Sequence, residues 1–201
     1  MTTPRQLARL PLRADARRNY EALVAAAEEV FSAQGTDAPL DVIARHAGVG
    51  NATLYRHFPT RRDLLVAVCV GEVEALCGLA EQLRGAANPR DALIDWIRAY
   101  IAHVGAHRGL GAALNTGTQE DSVLVAVCRE AVAEAGDALL EAAVRAGGIR
   151  RDLRIDDLLA LVGALATASE SGDGQRPERL LRLVVEGISE APPHVRGSGS
   201  S

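Results

Sequence analysis

Residues with chemical potential concentrate in one short stretch of the chain. Residues 48–64, GVGNATLYRHFPTRRDL, combine amide, hydroxyl, imidazole and guanidinium groups. On a helix that turns about 100° per residue, Leu54 and Phe58 share one face and Arg56 points directly away from them. Guanidinium groups donate paired hydrogen bonds to guanine, and hydroxyl and imidazole groups reach phosphates. The stretch therefore predicts a surface that reads DNA.

The surrounding sequence predicts the helices that position this surface. Apolar residues recur at helical spacing over 15–34, 40–47 and 51–58. Glycines at 48 and 50 lie between the last two of these segments. Two short helices joined by a glycine turn and braced by a longer helix are typical of a helix-turn-helix. Leu54 and Phe58 then anchor the second short helix, which becomes the recognition helix.

The stretch from Tyr20 to Leu65 resembles the DNA-binding domain of the TetR family of one-component transcriptional regulators. The matching residues are Ile43-Ala44, Ala47-Gly48-Val49 and Thr53-Leu54-Tyr55-Arg56-His57-Phe58, with Arg61 where the family commonly has lysine. The resemblance implies an all-helical homodimer, whose larger C-terminal domain holds an inducer and the dimer interface. It also implies phosphate contacts from Thr53, Tyr55, His57 and Arg61. Pro39 departs from the family, where Thr or Ser often caps the second helix and touches the DNA backbone.

The predicted DNA contacts extend to both sides of the recognition helix. Arg56 and Asn51 are expected to read bases, and the amide groups at the start of the next helix suit a phosphate. The full predicted set is Asn51, Ala52, Thr53, Tyr55, Arg56, His57, Thr60, Arg61, Arg17 and Arg18. Two alternatives stay open, because Tyr55 can also pack on the first helix and the N-terminal arginines can form either a solvated face or a DNA-contacting arm.

The N-terminal third of the chain carries a net positive charge, and the rest of the chain carries a net negative charge. The chain has 201 residues, is 48% hydrophobic and carries a net charge of −4, with +2 over residues 1–66 and −6 over 67–201. No apolar run reaches the roughly 18 residues that span a bilayer. Three cysteines without CxxC spacing suit a reducing compartment. We therefore expect a cytoplasmic protein with no membrane partner, one part of which meets a polyanion.

The predicted fold is all-α, with about nine helices and no sheet. Beyond the three N-terminal segments, helices are predicted at 60–84, 88–107, 110–115, 118–146, 156–170 and 177–189. The predicted organisation is a flexible basic arm at 1–14, the helix-turn-helix domain at 15–66, a ligand-binding and dimerisation domain at 67–190 and a disordered tail at 191–201.

A stripe of ring-bearing side chains predicts the ligand site. Trp96, Tyr100, His103 and His107 lie within an arc of roughly 60° on one helix. Cys69, Val73, Cys77 and Cys128 are expected to bound the same cavity. The neighbouring segments look aliphatic, so water or a mostly apolar ligand is expected to meet the polar ring atoms. A packed interior with satisfied histidines fits the same pattern.

Other chemistry finds less support in the sequence. His103 and His107 have the spacing of two zinc ligands, but the glutamate of a zinc hydrolase and a third ligand are missing. No cofactor or catalytic motif is predicted, and an enzyme ranks third. The alternative function is a metal-sensing or redox-sensing regulator that uses His103, His107 or the cysteines.

The last two predicted helices are the most apolar in the chain. Pairing with a second copy in a four-helix interface accounts for this composition, and the family resemblance implies the same. The predicted interface residues are Leu158, Leu161, Val162, Leu165, Leu181, Val184, Val185 and Ile188. The whole sequence thus predicts a homodimeric repressor that a small, mostly apolar effector releases from a palindromic operator.

Overall fold

The computed structural model describes residues 14–106, 119–168 and 176–189 as an all-α chain. Its eight helices are α1 (Ala14–Gln34), α2 (Leu40–His46), α3 (Asn51–His57), α4 (Arg61–Leu83), α5 (Pro89–Ala106), α6 (Gln119–Arg145), α7 (Ile155–Ala168) and α8 (Arg176–Ile188). The predicted fold class is confirmed. The helix predicted at 110–115 lies outside the described residues. So do residues 1–13 of the predicted arm and the whole of the predicted tail. None of the helices in the described ranges is long and apolar enough to cross a membrane.

Helices α1, α2 and α3 pack with the start of α4 around one apolar core. Leu23, Ile43, Leu54 and Leu64 are completely buried in it. Gly48 ends α2 with a φ of 70°, a left-handed conformation that glycine adopts without strain. The chain then closes the turn, because the amide of Val49 donates to the carbonyl of Ala44 at 3.0 Å. This turn fixes the direction in which α3 leaves α2.

Helix α4 joins the N-terminal core to a second core. A capping box starts it, in which Thr60 and Asp63 satisfy each other's backbone amides. Farther along, the side chains of Val66 and Cys69 pack against both cores. From α6, Val125 also packs against the N-terminal core. A displacement of α4 or α6 therefore changes the packing of both cores.

The second core contains the rest of α4 together with α5, α6, α7 and α8. Trp96 lies completely buried within it, and its ring faces α6 at Gly136. A Cβ atom at position 136 would lie 2.5 Å from the indole, so the close approach of α5 and α6 depends on glycine there. Near the other end, Ile149 and Ser189 form an isolated antiparallel bridge that ties the α6–α7 connection to the end of α8.

Candidate nucleic-acid interface and ligand site

Helix α3 divides into a buried face and an exposed face. Leu54 and Phe58 hold it against the N-terminal core. Ala52 and Arg56 on the opposite side are exposed to solvent, and so are Asn51 and Tyr55 beside them. The side chain of Tyr55 is 53% exposed, which argues against the alternative that this ring packs on α1. The exposed face offers a guanidinium, an amide and a phenol on a helix with a small residue near its start, a combination suited to the major groove.

His57 and Thr53 flank this face and are half-buried. The His57 ring lies beside Tyr20 of α1, with ring centroids 6.3 Å apart. Burial, and secondarily the charge of Arg56, lower the pKa of His57 below its ordinary value. At neutral pH the imidazole is therefore neutral, and it can still donate one hydrogen bond to a phosphate. The sequence analysis did not identify Tyr20 as the ring that supports His57.

Thr60 and Arg61, two of the predicted DNA contacts, have hydrogen-bond partners within the protein. Arg61 donates from Nη1 to the carbonyls of Thr36 at 2.8 Å and Ala38 at 2.7 Å. Its guanidinium thus ties the α1–α2 connection to α4. The hydroxyl of Thr60 donates to Asp63 at 2.7 Å. The Asp63 carboxylate already occupies the positive end of α4, so this helix start is a weaker phosphate site than the sequence suggested.

The arginines in the first turns of α1 form local ion pairs. Arg17 donates from Nε to Glu21 at 2.8 Å, and Arg18 pairs with Asp15. Both arginines are exposed. Because surface ion pairs contribute little to stability, each arginine can readily exchange its carboxylate partner for a phosphate. At the start of α2, Pro39 provides no side-chain cap, as its departure from the family pattern implies.

The predicted ligand stripe on α5 divides into a core residue and two half-buried residues. Trp96 is fully buried, and its indole N–H donates to the carbonyl of Leu76 at 3.0 Å. Tyr100 stacks on this indole with centroids 6.1 Å apart, and its hydroxyl lies near Gly163 of α7. Burial raises the pKa of the Tyr100 phenol. The fourth predicted member, His107, lies outside the described residues.

Glu72 is the polar residue of this region that the sequence analysis missed. Its carboxylate is buried between α4 and α5, and Oε2 lies 3.1 Å from Nδ1 of His103. The expectation that the neighbouring segments offer few partners was therefore wrong for His103. The missed signal was an acid at the helical spacing of Leu65, Val68 and Leu76, which places it on the buried face of α4.

The three cysteines lie where α4 faces α6. Cys69 is half-buried, Cys128 is buried, and Cys77 donates a hydrogen bond to the carbonyl of Ala131 at 3.6 Å. Val73, the remaining predicted wall residue, is buried in the second core. All three thiols are free. In the part of the chain that the structure describes, no three metal-ligating side chains come together.

Helices α7 and α8 each have an inner and an outer face. Five of the predicted interface residues, Leu158, Val162, Leu181, Val184 and Ile188, are buried within the protomer's own core. Their burial speaks against a place in a dimer interface, and α7, which is apolar nearly all round, gave little sequence signal that separates its two faces. The outer face instead exposes Leu161 by 47% and Leu183, which was not predicted, by 64%. Leu165 and Val185 are half-buried at its edge.

Two models of known protein families match the N-terminal and C-terminal parts of the chain separately. Residues 23–68 match the family described as bacterial regulatory proteins of the tetR family. Residues 88–190 match the C-terminal domain of SbtR-like transcriptional regulators of the same family. The first match covers the helix-turn-helix, and the second covers α5 through α8.

Solved structures and a curated relative show the same likeness. A TetR transcriptional regulator from Streptomyces coelicolor has 38% identity and a TM-score of 0.71, over 86% of this chain and 99% of that one. A TetR regulator from Mycobacterium vanbaalenii has 35% identity and a TM-score of 0.70, over 90% and 100%. The uncharacterised helix-turn-helix regulator TtgW of Pseudomonas putida is 46% identical over 56 residues, which cover 27% of this chain and 42% of that protein. This last match therefore spans less than half of the relative's length.

Proposed function

Because this chain belongs to the TetR family of DNA-binding transcriptional regulators, we propose that it is a homodimeric repressor controlled by a small, mostly apolar effector. The family consists of transcription factors rather than enzymes. The observation that carries the proposal is the position of α4, whose residues Val66 and Cys69 pack in both the DNA-binding core and the second core. A regulator of this kind acts in the bacterial cytoplasm, and we propose the same compartment here.

DNA recognition is assigned to α3. Arg56 is exposed on the face opposite the buried Leu54, and Asn51 is exposed at the start of the helix, where both can meet base edges. Tyr55 and His57 lie on the flanks, where the phosphates of a major groove run. The acidic remainder of the chain repels DNA, so the basic N-terminal part alone approaches it.

The homodimer is assigned to the outer face of α7 and α8. Leu161 and Leu183 expose large apolar side chains there, and the exposed Ala160 and Ala164 allow a second pair of helices to approach closely. Two-fold pairing of this face places two copies of α3 on the same DNA. Successive major grooves lie about 34–36 Å apart, so a palindromic operator is expected.

The effector is assigned to the region between α4, α5 and α6. Tyr100 and His103 are half-buried there, and the buried Glu72 carboxylate lies against His103. A mostly apolar molecule with one or two polar atoms matches these walls. If it binds better when α4 is tilted, the spacing of the two recognition helices changes, and a differential binding energy of about 1–3 kcal/mol is enough to release the operator.

Release of DNA by effectors is tested with fragments that the protein itself selects from bacterial genomic DNA. Mostly apolar compounds are screened for release of a labelled fragment, and the fluorescence of the chain's one tryptophan, Trp96, reports binding independently. Glu72→Gln and Tyr100→Phe should raise the effector concentration needed for release and leave DNA affinity unchanged. Glu178→Gln, an exposed acid on α8, serves as the control. A releasing compound that is indifferent to both variants would place the effector site elsewhere.

A further inference from the structure

The backbone of the α1–α2 connection is hydrogen-bonded to a side chain that lies more than twenty residues later in the chain. Nη1 of Arg61 donates to the carbonyl of Thr36 at 2.8 Å and to the carbonyl of Ala38 at 2.7 Å. Both bonds are charge-assisted, because a guanidinium stays protonated in proteins. Ala38 is buried, and Arg61 itself is half-buried. One nitrogen atom thus fixes the backbone on both sides of Asp37.

The segment that these bonds fix leads directly into α2, whose start has no side-chain cap. Pro39 occupies the N-cap position and has no side-chain acceptor for the first amides of the helix. The two bonds from Arg61 therefore act in place of a local cap in fixing where α2 begins. Because Gly48 and Val49 form a tight turn between α2 and α3, the position of α2 in turn sets the position of the recognition helix.

The backbone of Arg61 is itself firmly anchored. Arg61 is the first residue of α4, and the capping box of Thr60 and Asp63 closes the turn around it. Leu64 and Leu65 follow in the same turn and are buried in the DNA-binding core. Arg61 therefore links a well-anchored helix start to the uncapped start of α2.

We propose that Arg61 is a positioning residue for DNA recognition, which orients α2 and α3 through the α1–α2 connection and makes no contact with phosphate. The family resemblance implies the opposite role for this position. Turning Nη1 of Arg61 towards a phosphate breaks both bonds and deprives two carbonyls of this donor, one of them on the buried Ala38. The proposal rests on the assignment of DNA recognition to α3.

Positioning and phosphate contact have different effects on DNA binding. Loss of a phosphate contact weakens binding to all sequences and lowers the slope of log affinity against log salt concentration by about 0.9 per phosphate. Loss of a positioning residue disturbs the base-reading face, so it weakens the specific site more than unrelated DNA and leaves the slope unchanged. A side chain that only stabilises the fold affects neither quantity in a protein that stays folded.

The first experiment compares the wild-type chain with Arg61→Met, which keeps an apolar stem and removes every donor. Arg151→Met removes the same charge from an exposed position between α6 and α7 and serves as the control. Affinities for a selected genomic fragment and for unrelated DNA are measured over a series of salt concentrations, and circular dichroism verifies that each protein is folded. Arg61→Met should bind the selected fragment about tenfold more weakly, the cost of about one mismatched base pair. Its affinity for unrelated DNA and its salt slope should stay at the wild-type values.

Two outcomes of this experiment would overturn the proposal. If both DNAs bind more weakly to the same degree and the salt slope falls, Arg61 is a phosphate contact. If a folded Arg61→Met keeps the wild-type affinities and differs only in its denaturation midpoint, Arg61 stabilises the fold without positioning the recognition helix.

A second measurement needs neither a substituted protein nor DNA. Phenylglyoxal modifies accessible arginines, and peptide fragmentation locates the modified positions. In the free wild-type chain, Arg61 should react several times more slowly than the exposed Arg56, because its guanidinium is half-buried and bonded to two carbonyls. Equal rates at the two arginines would overturn the proposal. Failure of the protein to bind any DNA would instead count against the proposed function and leave the modification rate as the test of Arg61.

Discussion

At the scale of single residues, the recognition helix separates two kinds of DNA contact. Arg56 is exposed opposite the buried anchor Leu54 and Asn51 is exposed at the N-terminal end of the helix, so both are placed to read bases. His57 is half-buried against Tyr20, so its ring is held in one orientation at the edge of the helix. Base readers change sequence preference when they are removed, whereas phosphate contacts change affinity for all sequences.

Arg56→Ala should weaken binding by about 1–3 kcal/mol and relax the preference at one base position in each half-site. Arg151→Ala removes the same charge from an exposed position between α6 and α7 and serves as the control. The base preference of each protein is measured by selection from randomised DNA. An unchanged preference in Arg56→Ala would assign base reading to another residue.

His57 should make the free energy of unfolding depend on pH. Its folded-state pKa is lowered by burial, so the unfolded chain binds the proton more tightly. The free energy of unfolding of the wild-type protein should therefore decrease as the pH falls from about 6.5, the pKa of an unperturbed histidine, towards the lower folded-state pKa of His57. His57→Gln should lack this component. Equal pH profiles in urea denaturation of the two proteins would contradict the assigned pKa direction.

The sequence could predict α3 but not the partners of Arg61 or Glu72. Anchors and exposed residues of one helix follow from local spacing, and Leu54, Phe58 and Arg56 lie as predicted. Arg61 instead bonds to carbonyls more than twenty residues earlier in the chain. Such contacts depend on how helices pack, which periodicity does not encode.

At the scale of helices, the packing of α5 against α6 depends on a glycine at position 136, which has no side chain. A Cβ at position 136 would lie 2.5 Å from Trp96 and 2.8 Å from Ile155. Gly136→Ala should therefore destabilise the fold by about 1–3 kcal/mol despite its better helix propensity. Chemical denaturation followed by circular dichroism measures the change.

Gly78→Ala is the matched control for Gly136→Ala. Gly78 lies within α4, and a Cβ there has no atom within 4 Å to meet. The alanine should stabilise the helix by about 0.4–1 kcal/mol, because it restricts the unfolded chain. Equal effects of the two alanines would show that the Trp96 contact does not limit position 136.

Helix ends were easier to predict than helix faces. The cap at Thr60 and the glycine stop at position 85 marked α4 within a residue at each end. For α7 and α8, the same sequence predicted two apolar helices but placed buried residues such as Leu158 on the interface. A helix that is apolar nearly all round carries little information on which side its partner lies.

At the scale of the whole molecule, the outer face of α7 and α8 should decide the oligomeric state. Leu161→Glu combined with Leu183→Glu should give monomers that keep their helical content and lose DNA binding. Val123→Glu places the same charge at an exposed apolar position on α6 and should remain dimeric. Sedimentation velocity measures the outcome, and a dimer in the double variant would move the interface to another surface.

The central claim is that two copies of α3 read one palindromic DNA site. The most direct measurement is the selection of genomic DNA fragments by the purified, reduced protein, followed by sequencing. The account predicts an enriched inverted repeat whose half-site centres lie about 10–10.5 base pairs, or a multiple of one helical turn, apart. Selection of no preferred sequence, or of a single half-site without a symmetric mate, would contradict it.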